Sequence, residues 1–229
     1  MEQGQILSAG QSKPASLTAA ELRARFAAHQ PGIRSFDNER VRGDHLLDPN
    51  VKLPPGLTPA AVLAPLIERA SGFQVLLTQR TAHLSAHAGQ IALPGGRVEP
   101  GDPDAVQAAL RETEEEIGLS PSRIEVLGRL DTYITGTGYE IVPVVGLVRE
   151  PFSLRLDPKE VTETFEVPLS FILDRANHKR ETRQLPNGVR TFFVLPYQNR
   201  YIWGATAGIL VNLAEVLAGR DAGAVTSRS

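Results

Sequence analysis

The stretch from Glu99 to Leu119 constrains this chain more than any other. It carries seven acids (Glu99, Asp102, Asp104, Glu112, Glu114, Glu115, Glu116) against one base, Arg111. Val106, Leu110, Thr113 and Ile117 recur at i, i+4, i+7 and i+11, the period of an α-helix over residues 104–117. Gly118 follows where a helix C-cap glycine belongs. On such a helix Glu112 and Glu116 meet on one face, roughly 80–120° around from the apolar stripe, while Glu115 points nearly away from it. Like charges at that spacing repel, lose solvent beside a core, and sit near the helix end whose dipole disfavours anions. Hard divalent cations relieve all three costs, because Mg²⁺ and Mn²⁺ want oxygen ligands and Mg²⁺ takes only one or two carboxylates beside substrate phosphates. A solvated acidic face on a surface helix is the alternative reading of the cluster taken alone.

Composition removes other classes. The 229 residues carry a formal net charge of −2, so no global basic excess asks for nucleic acid or an anionic membrane. With no cysteine, disulfides, thiolate metal sites and a Cys nucleophile are excluded. A hydrophobic share of 41% is enough for a sizeable core, and no apolar run approaches the roughly 18–20 residues that span a bilayer. Met1-Glu2-Gln3-Gly4 lacks the cationic and apolar start of a secretory signal, so a cytoplasmic location is expected. No Walker loop or dinucleotide-binding glycine motif is present.

Along the chain, Thr18-Ala19-Ala20-Glu21 is a capping box opening a helix that runs to about His29 and ends at Pro31-Gly32. Residues 31–58 show no period and read as connector, and residues 1–15 read as frayed. Residues 60–67 and 73–80 are apolar, partly β-branched runs about Ser71-Gly72, a strand pair. A loop containing Gly89 and Pro94-Gly95-Gly96 is expected next. Residues 124–134 and 139–148 read as two strands about Gly136-Thr137-Gly138, with further strands at 161–167 and 189–195. Residues 204–217 read as a second helix, followed by a loose polar tail. Strands interleaved with helices give an α/β layered domain.

The motifs then become specific. Gly96, Glu99 and Arg111-Glu112-Thr113-Glu114-Glu115-Glu116-Ile117-Gly118-Leu119 resemble the Nudix box, whose end reads Arg-Glu-apolar-x-Glu-Glu-x-Gly-apolar. The spacing from Gly96 to Arg111 is one residue longer than in the standard box, and the acid expected eight residues before the arginine falls on Pro103, with Asp102 and Asp104 as its substitutes. Upstream, Leu76-Leu77-Thr78-Gln79-Arg80-Thr81 and His87-Ala88-Gly89-Gln90-Ile91-Ala92-Leu93-Pro94-Gly95-Gly96 resemble the signature of the coenzyme A pyrophosphatases within the Nudix superfamily. Ser85 stands where that signature has Arg, and Leu93 where it has Phe. Residues 157–161, 165–169 and 201–206 are also similar to that subfamily. The resemblance covers residues 57–217, leaving 1–50 as an N-terminal extension with one helix and 218–229 as a tail.

The resemblance implies a Nudix fold, a mixed β-sheet sandwiched between helices. It implies Mg²⁺- or Mn²⁺-dependent cleavage of coenzyme A or its derivatives at the pyrophosphate, giving 3′,5′-ADP and 4′-phosphopantetheine. Another nucleoside diphosphate conjugate, such as ADP-ribose or a dinucleotide, and a non-catalytic ligand sensor are the competing readings. Partners are then a small nucleotide substrate, with no nucleic acid and no membrane, and a homodimer is left open. Glu112, Glu115 and Glu116 are the expected metal ligands, and Arg111 orients the box carboxylates. One of these glutamates, or Glu160, is the general base. Gly95 and Gly96 let backbone approach metal or phosphate, or form a simple tight turn. Arg80 is either a phosphate fork or a strand-end surface residue. Glu160 and Glu163 each supply a late metal ligand or base, or belong to a solvated face. His83 and His87 lack a third zinc ligand and are expected to face solvent or a neighbouring ligand. Trp203 is expected in the core rather than stacked on adenine.

Overall fold

A computed structural model describes residues 17–29, 31, 41–48, 51–82, 88–185 and 188–219. In chain order the elements are α1 (Ala19–Ala28), β1 (Arg42–Gly43), α2 (Asp44–Leu47), β2 (Thr58–Arg69), β3 (Gly72–Arg80), β4 (Ile91–Ala92), β5 (Gly95–Arg97) and α3 (Ala105–Ile117). They continue with β6 (Ile124–Arg129), β7 (Tyr133–Ile134), β8 (Tyr139–Val148), β9 (Val161–Pro168), α4 (Leu169–Leu173), β10 (Lys179–Leu185), β11 (Gly188–Tyr197), β12 (Arg200–Trp203) and α5 (Gly204–Leu217).

A mixed sheet forms the centre. Its backbone order is β1-β7-β8-β2-β3-β4, with β5 on β2, β6 on β8 and β9 on β3, while β10-β11-β12 form a separate small sheet. β2 runs antiparallel to β3 and parallel to β8. Both faces of these strands are covered, so β2 reads as a continuous apolar run rather than an alternating one. Ala61 and Leu63 pack with Ala108, Ala109 and Leu110 of α3, whereas Ala64 and Leu66 join the larger core on the other face with α1, α4 and α5. This is the α/β sandwich the sequence implied.

The capping box of α1 forms as read, with Thr18 Oγ1 accepting from Glu21 N at 3.2 Å and Glu21 Oε2 accepting from Thr18 N at 2.7 Å. Leu22 and Phe26, one turn apart, seat the helix in the large core. The 31–58 connector contains β1 and α2. β1 forms only because β7 pairs beside it, a tertiary partner that leaves no local period. The single strand expected over 124–134 is two, β6 and β7. Between them Asp131 leaves the ladder and its N–H donates to the buried side chain of Asn212 on α5, which donates back to Asp131 Oδ2. The glycine loop carries β4 and β5, and β10, β12 and α4 are further elements the pattern did not mark. Residues 1–15, Ser85, His83, His87 and the end of the tail lie outside the described residues.

Candidate active site

α3 has the predicted limits. Asp104 caps its start, accepting from Gln107 N at 2.9 Å, and Gly118 ends it in the left-handed region at φ 70°, its N–H donating to Glu114 O. Leu110, Thr113 and Ile117 are buried, and the Thr113 hydroxyl donates to Ala109 O at 2.6 Å. At the stripe's edge Glu116 is 3% exposed, Glu112 is half-buried, and Glu115 stands out in solvent.

Two arginines hold this acidic edge. Arg111 clamps Asp102 with Nε and Nη2, both at 2.9 Å, and its Nη1 donates to Glu112 at 3.0 Å and Glu115 at 2.9 Å. Asp102 also accepts from Glu99 N, so one carboxylate fastens the preceding loop to the helix. Of the two candidate substitutes at Pro103, Asp102 takes the Arg111 pairing and Asp104 is the helix cap. The guanidinium holds the Asp102 carboxyl down at about 2.

Glu116 accepts from Gly95 N at 3.1 Å and from Arg80 Nη1 at 3.2 Å. Burial nonetheless pushes its carboxyl up to about 7, with the charges of Glu160 and Glu112 adding to the effect. Burial also raises Glu112. Gly95 and Gly96 lie against this pair. Gly95 spends its N–H on Glu116, and a Cβ at Gly96 would collide with the Glu112 carboxylate.

These groups form the floor of one cavity of about 510 Å³. Arg80, Gly95, Gly96, Glu112, Glu116 and Glu160 line it together. Glu115 is not on its lining and stays with Arg111 on the outer side. Glu163 is drawn elsewhere, clamped by Arg200 at 2.8 and 3.0 Å. The lining also includes the apolar side chains of Trp203, Ile209 and Ile141. Trp203 was expected in the core. It is half-buried on the cavity's lining, its ring 5.1 Å from that of Phe192, at the end of β12 where the chain enters α5.

Sequence reasoning missed Asp44. It enters the cavity lining from α2 and ties the turn beside it, accepting from Tyr133 OH at 2.7 Å and Gly136 N at 2.8 Å. The only signal was the Gly136-Thr137-Gly138 turn itself, which needs an acceptor that no local pattern supplies. Replacing Asp44 by alanine strands both donors and is expected to cost about 1–3 kcal/mol in urea unfolding. A change below about 0.5 kcal/mol would show the pairing to be dispensable.

Among the described residues no three His, Cys, Asp or Glu side chains already converge as a metal cage. Glu116 is turned to Gly95 and Arg80, and Glu112 to Arg111. The donor set still fits a hard divalent cation, since it is all carboxylate oxygen and the buried Glu116 charge is under-compensated by one arginine contact.

An acidic, loop-fastened helix lies against the mixed sheet with two glycines at its carboxylates, and comparisons with known proteins give its class. Residues 57–186 match the family model described as the NUDIX domain. The "Uncharacterized Nudix hydrolase NudL" of Escherichia coli (strain K12) is 40% identical over 155 residues, covering 68% of this chain and 80% of the relative. The protein of that name from Shigella boydii serotype 18 is 39% identical over the same shares. Among solved structures, the MutT protein of Methanosarcina mazei Go1 aligns at 25% identity and a TM-score of 0.42, over 53% of this chain and 84% of that one. The chain belongs to the Nudix family of hydrolases, which cleave nucleoside diphosphate derivatives. Among the described residues no helix is long and apolar enough to cross a membrane.

Proposed function

We propose that this chain is a cytoplasmic hydrolase that cleaves the pyrophosphate of coenzyme A or its derivatives to 3′,5′-ADP and 4′-phosphopantetheine. The observation that carries the reading is the divided chemistry of the cavity's lining, in which carboxylates and Arg80 are joined by the apolar side chains of Trp203, Ile209 and Ile141. An amphipathic thiol-ended arm joined to a nucleotide through a diphosphate matches that division. The signature residues support it, since Arg80 and Gly95-Gly96 all reach the floor.

Glu112 and Glu116 are the residues that would hold Mg²⁺ or Mn²⁺, with Glu115 reaching it only by leaving Arg111. When bound, the cation neutralises the diphosphate and activates water for in-line attack. The protein's share is positional. Arg111 keeps Glu112 and the loop carrying Asp102 in register with the helix. Arg80 takes a phosphoryl oxygen. Glu160 lines the cavity with no hydrogen bond to its carboxylate among the described residues, so that carboxylate is placed to take the proton of the attacking water. Trp203 adds apolar surface to the lining that the polar groups share.

Product analysis on coenzyme A, ADP-ribose and dinucleoside polyphosphates, with and without Mg²⁺, tests the assignment. The expected result is metal-dependent release of 3′,5′-ADP with the highest kcat/KM on coenzyme A. A tenfold preference for either other substrate would overturn the coenzyme A assignment, and binding without turnover on all three would make the chain a sensor.

A further inference from the structure

Arg80 is held more sparsely than most arginines that meet carboxylates among the described residues; only the exposed Arg149 likewise meets its carboxylate with one nitrogen alone. Arg23, Arg69, Arg111 and Arg200 each clamp a carboxylate with two nitrogens. Arg80 touches Glu116 with Nη1 alone at 3.2 Å, and its buried Nε has no hydrogen-bond partner among the described residues. Among the described residues, two of its three nitrogens are therefore uncommitted while it lies against the most buried acid of the site. Its backbone is fixed by contrast. Arg80 N donates to Gln90 O at 2.9 Å and Thr81 N to Glu160 O at 2.9 Å. A register shift between Gln79 and Arg80 in the β3–β9 ladder breaks the alternation there, the device by which strands re-aim a side chain beside a site.

A long side chain on a pinned backbone, with one single-point contact and spare donors, is built to exchange partners. A divalent cation on Glu116 Oε1 would stand beside the Arg80 guanidinium, whose Nη1 is 3.2 Å from that oxygen. A guanidinium and a divalent cation there repel each other at short range in a partly desolvated pocket. We infer that Arg80 is a displaceable stand-in for the divalent cation, holding Glu116 while the site is cation-free and moving onto a phosphoryl oxygen of the substrate when the cation takes Glu116. The inference rests on the reading of Glu112 and Glu116 as cation ligands. It makes cation and diphosphate binding mutually reinforcing through one side chain, since whatever draws Arg80 off Glu116 opens an oxygen for the cation.

Mn²⁺ titration of the substrate-free protein, followed by electron paramagnetic resonance, tests this in the wild type, Arg80→Met and Arg80→Lys. Removing the competing charge is expected to tighten Mn²⁺ binding about fivefold or more in Arg80→Met, while Arg80→Lys stays within about twofold of wild type. Methylenediphosphonate, which is not hydrolysed, is expected to tighten Mn²⁺ binding in the wild type and to lose most of that effect in Arg80→Met. Unchanged or weaker Mn²⁺ affinity in Arg80→Met overturns the exchange, as does equal tightening in Arg80→Lys, which would trace the effect to packing. Absence of Mn²⁺ binding by the wild type would instead refute the ligand reading itself. Arg80→Gln supplies the same comparison if the methionine variant does not fold.

Discussion

Glu116→Gln is expected to lower kcat by about 10³-fold while making the cation-free protein more stable above pH 7. The two effects share a cause. In the fold the Glu116 carboxyl sits at about 7, against an ordinary 4.5, because burial disfavours its charge more than Gly95 N–H and Arg80 favour it. A raised pKa means that the folded state binds this proton more tightly than the unfolded state does. Its contribution to stability is thus fully present below pH 4.5 and is lost as pH rises through 7. The loss is at most about 3–4 kcal/mol, from about 1.4 kcal/mol per unit. Glutamine keeps an Oε1 acceptor for Gly95 N–H and carries no charge to desolvate, so it escapes that loss, less whatever the Arg80 contact gave back. Urea unfolding in a chelator is expected to rank the variant above the wild type above pH 7, with the two curves converging below pH 4.5. Excess Mg²⁺ is expected to reverse the ranking, because only the wild type gains a ligand-bound state. A variant that is less stable without divalent cations, or one that turns over at the wild-type rate, would remove Glu116 from the cation site.

The same residue shows why part of this molecule could be read from its sequence. Helical period, an N-cap and a C-cap glycine are local, so α3 and the shared face of Glu112 and Glu116 followed from spacing alone, as did α1 with its capping box. β2, β3 and α5 are long apolar runs and were equally legible. What spacing could not carry were elements whose reason lies elsewhere in the chain. β1 exists because β7 is beside it, and Asp44 reaches the cavity because Tyr133 and Gly136 need an acceptor. The break at Asp131 answers to Asn212, 81 residues away. Trp203 looked like core because an apolar helix follows it, yet at the turn from β12 into α5 it is half-buried on the cavity's lining. Charge was readable in number but not in partnership. Arg111 was expected to order the box and does contact three of its acids, whereas the single-point hold of Arg80 on Glu116 depends on a strand irregularity that no residue pattern announces.

The paired glycines at the floor make the second large effect, and they separate by mechanism. Gly95→Ala is expected to destabilise the fold by about 3 kcal/mol. Gly95 has φ +148°, and a Cβ there would strike the Ala61 carbonyl and the Val62 backbone, to which β5 is laddered. Neither neighbour can yield without breaking the β2–β5 pairing that carries Gly95 N–H to Glu116. Gly96 is different in kind. Its nearest atoms are all from the Glu112 carboxylate, the free end of a flexible side chain. Alanine at that position is therefore expected to change stability by less than about 1 kcal/mol while displacing Glu112. A displacement near 1 Å at a reacting centre costs about 10²-fold, which is the expected fall in kcat, with weakened Mn²⁺ binding alongside it. Gly101→Ala is the control, since nothing lies within 4 Å of a Cβ there. Thermal unfolding and kcat measured on all three variants decide the matter. If Gly96→Ala loses stability as Gly95→Ala does, or keeps full turnover, then the glycine serves the turn alone. The carboxylate it makes room for would then not be holding the reaction's cation.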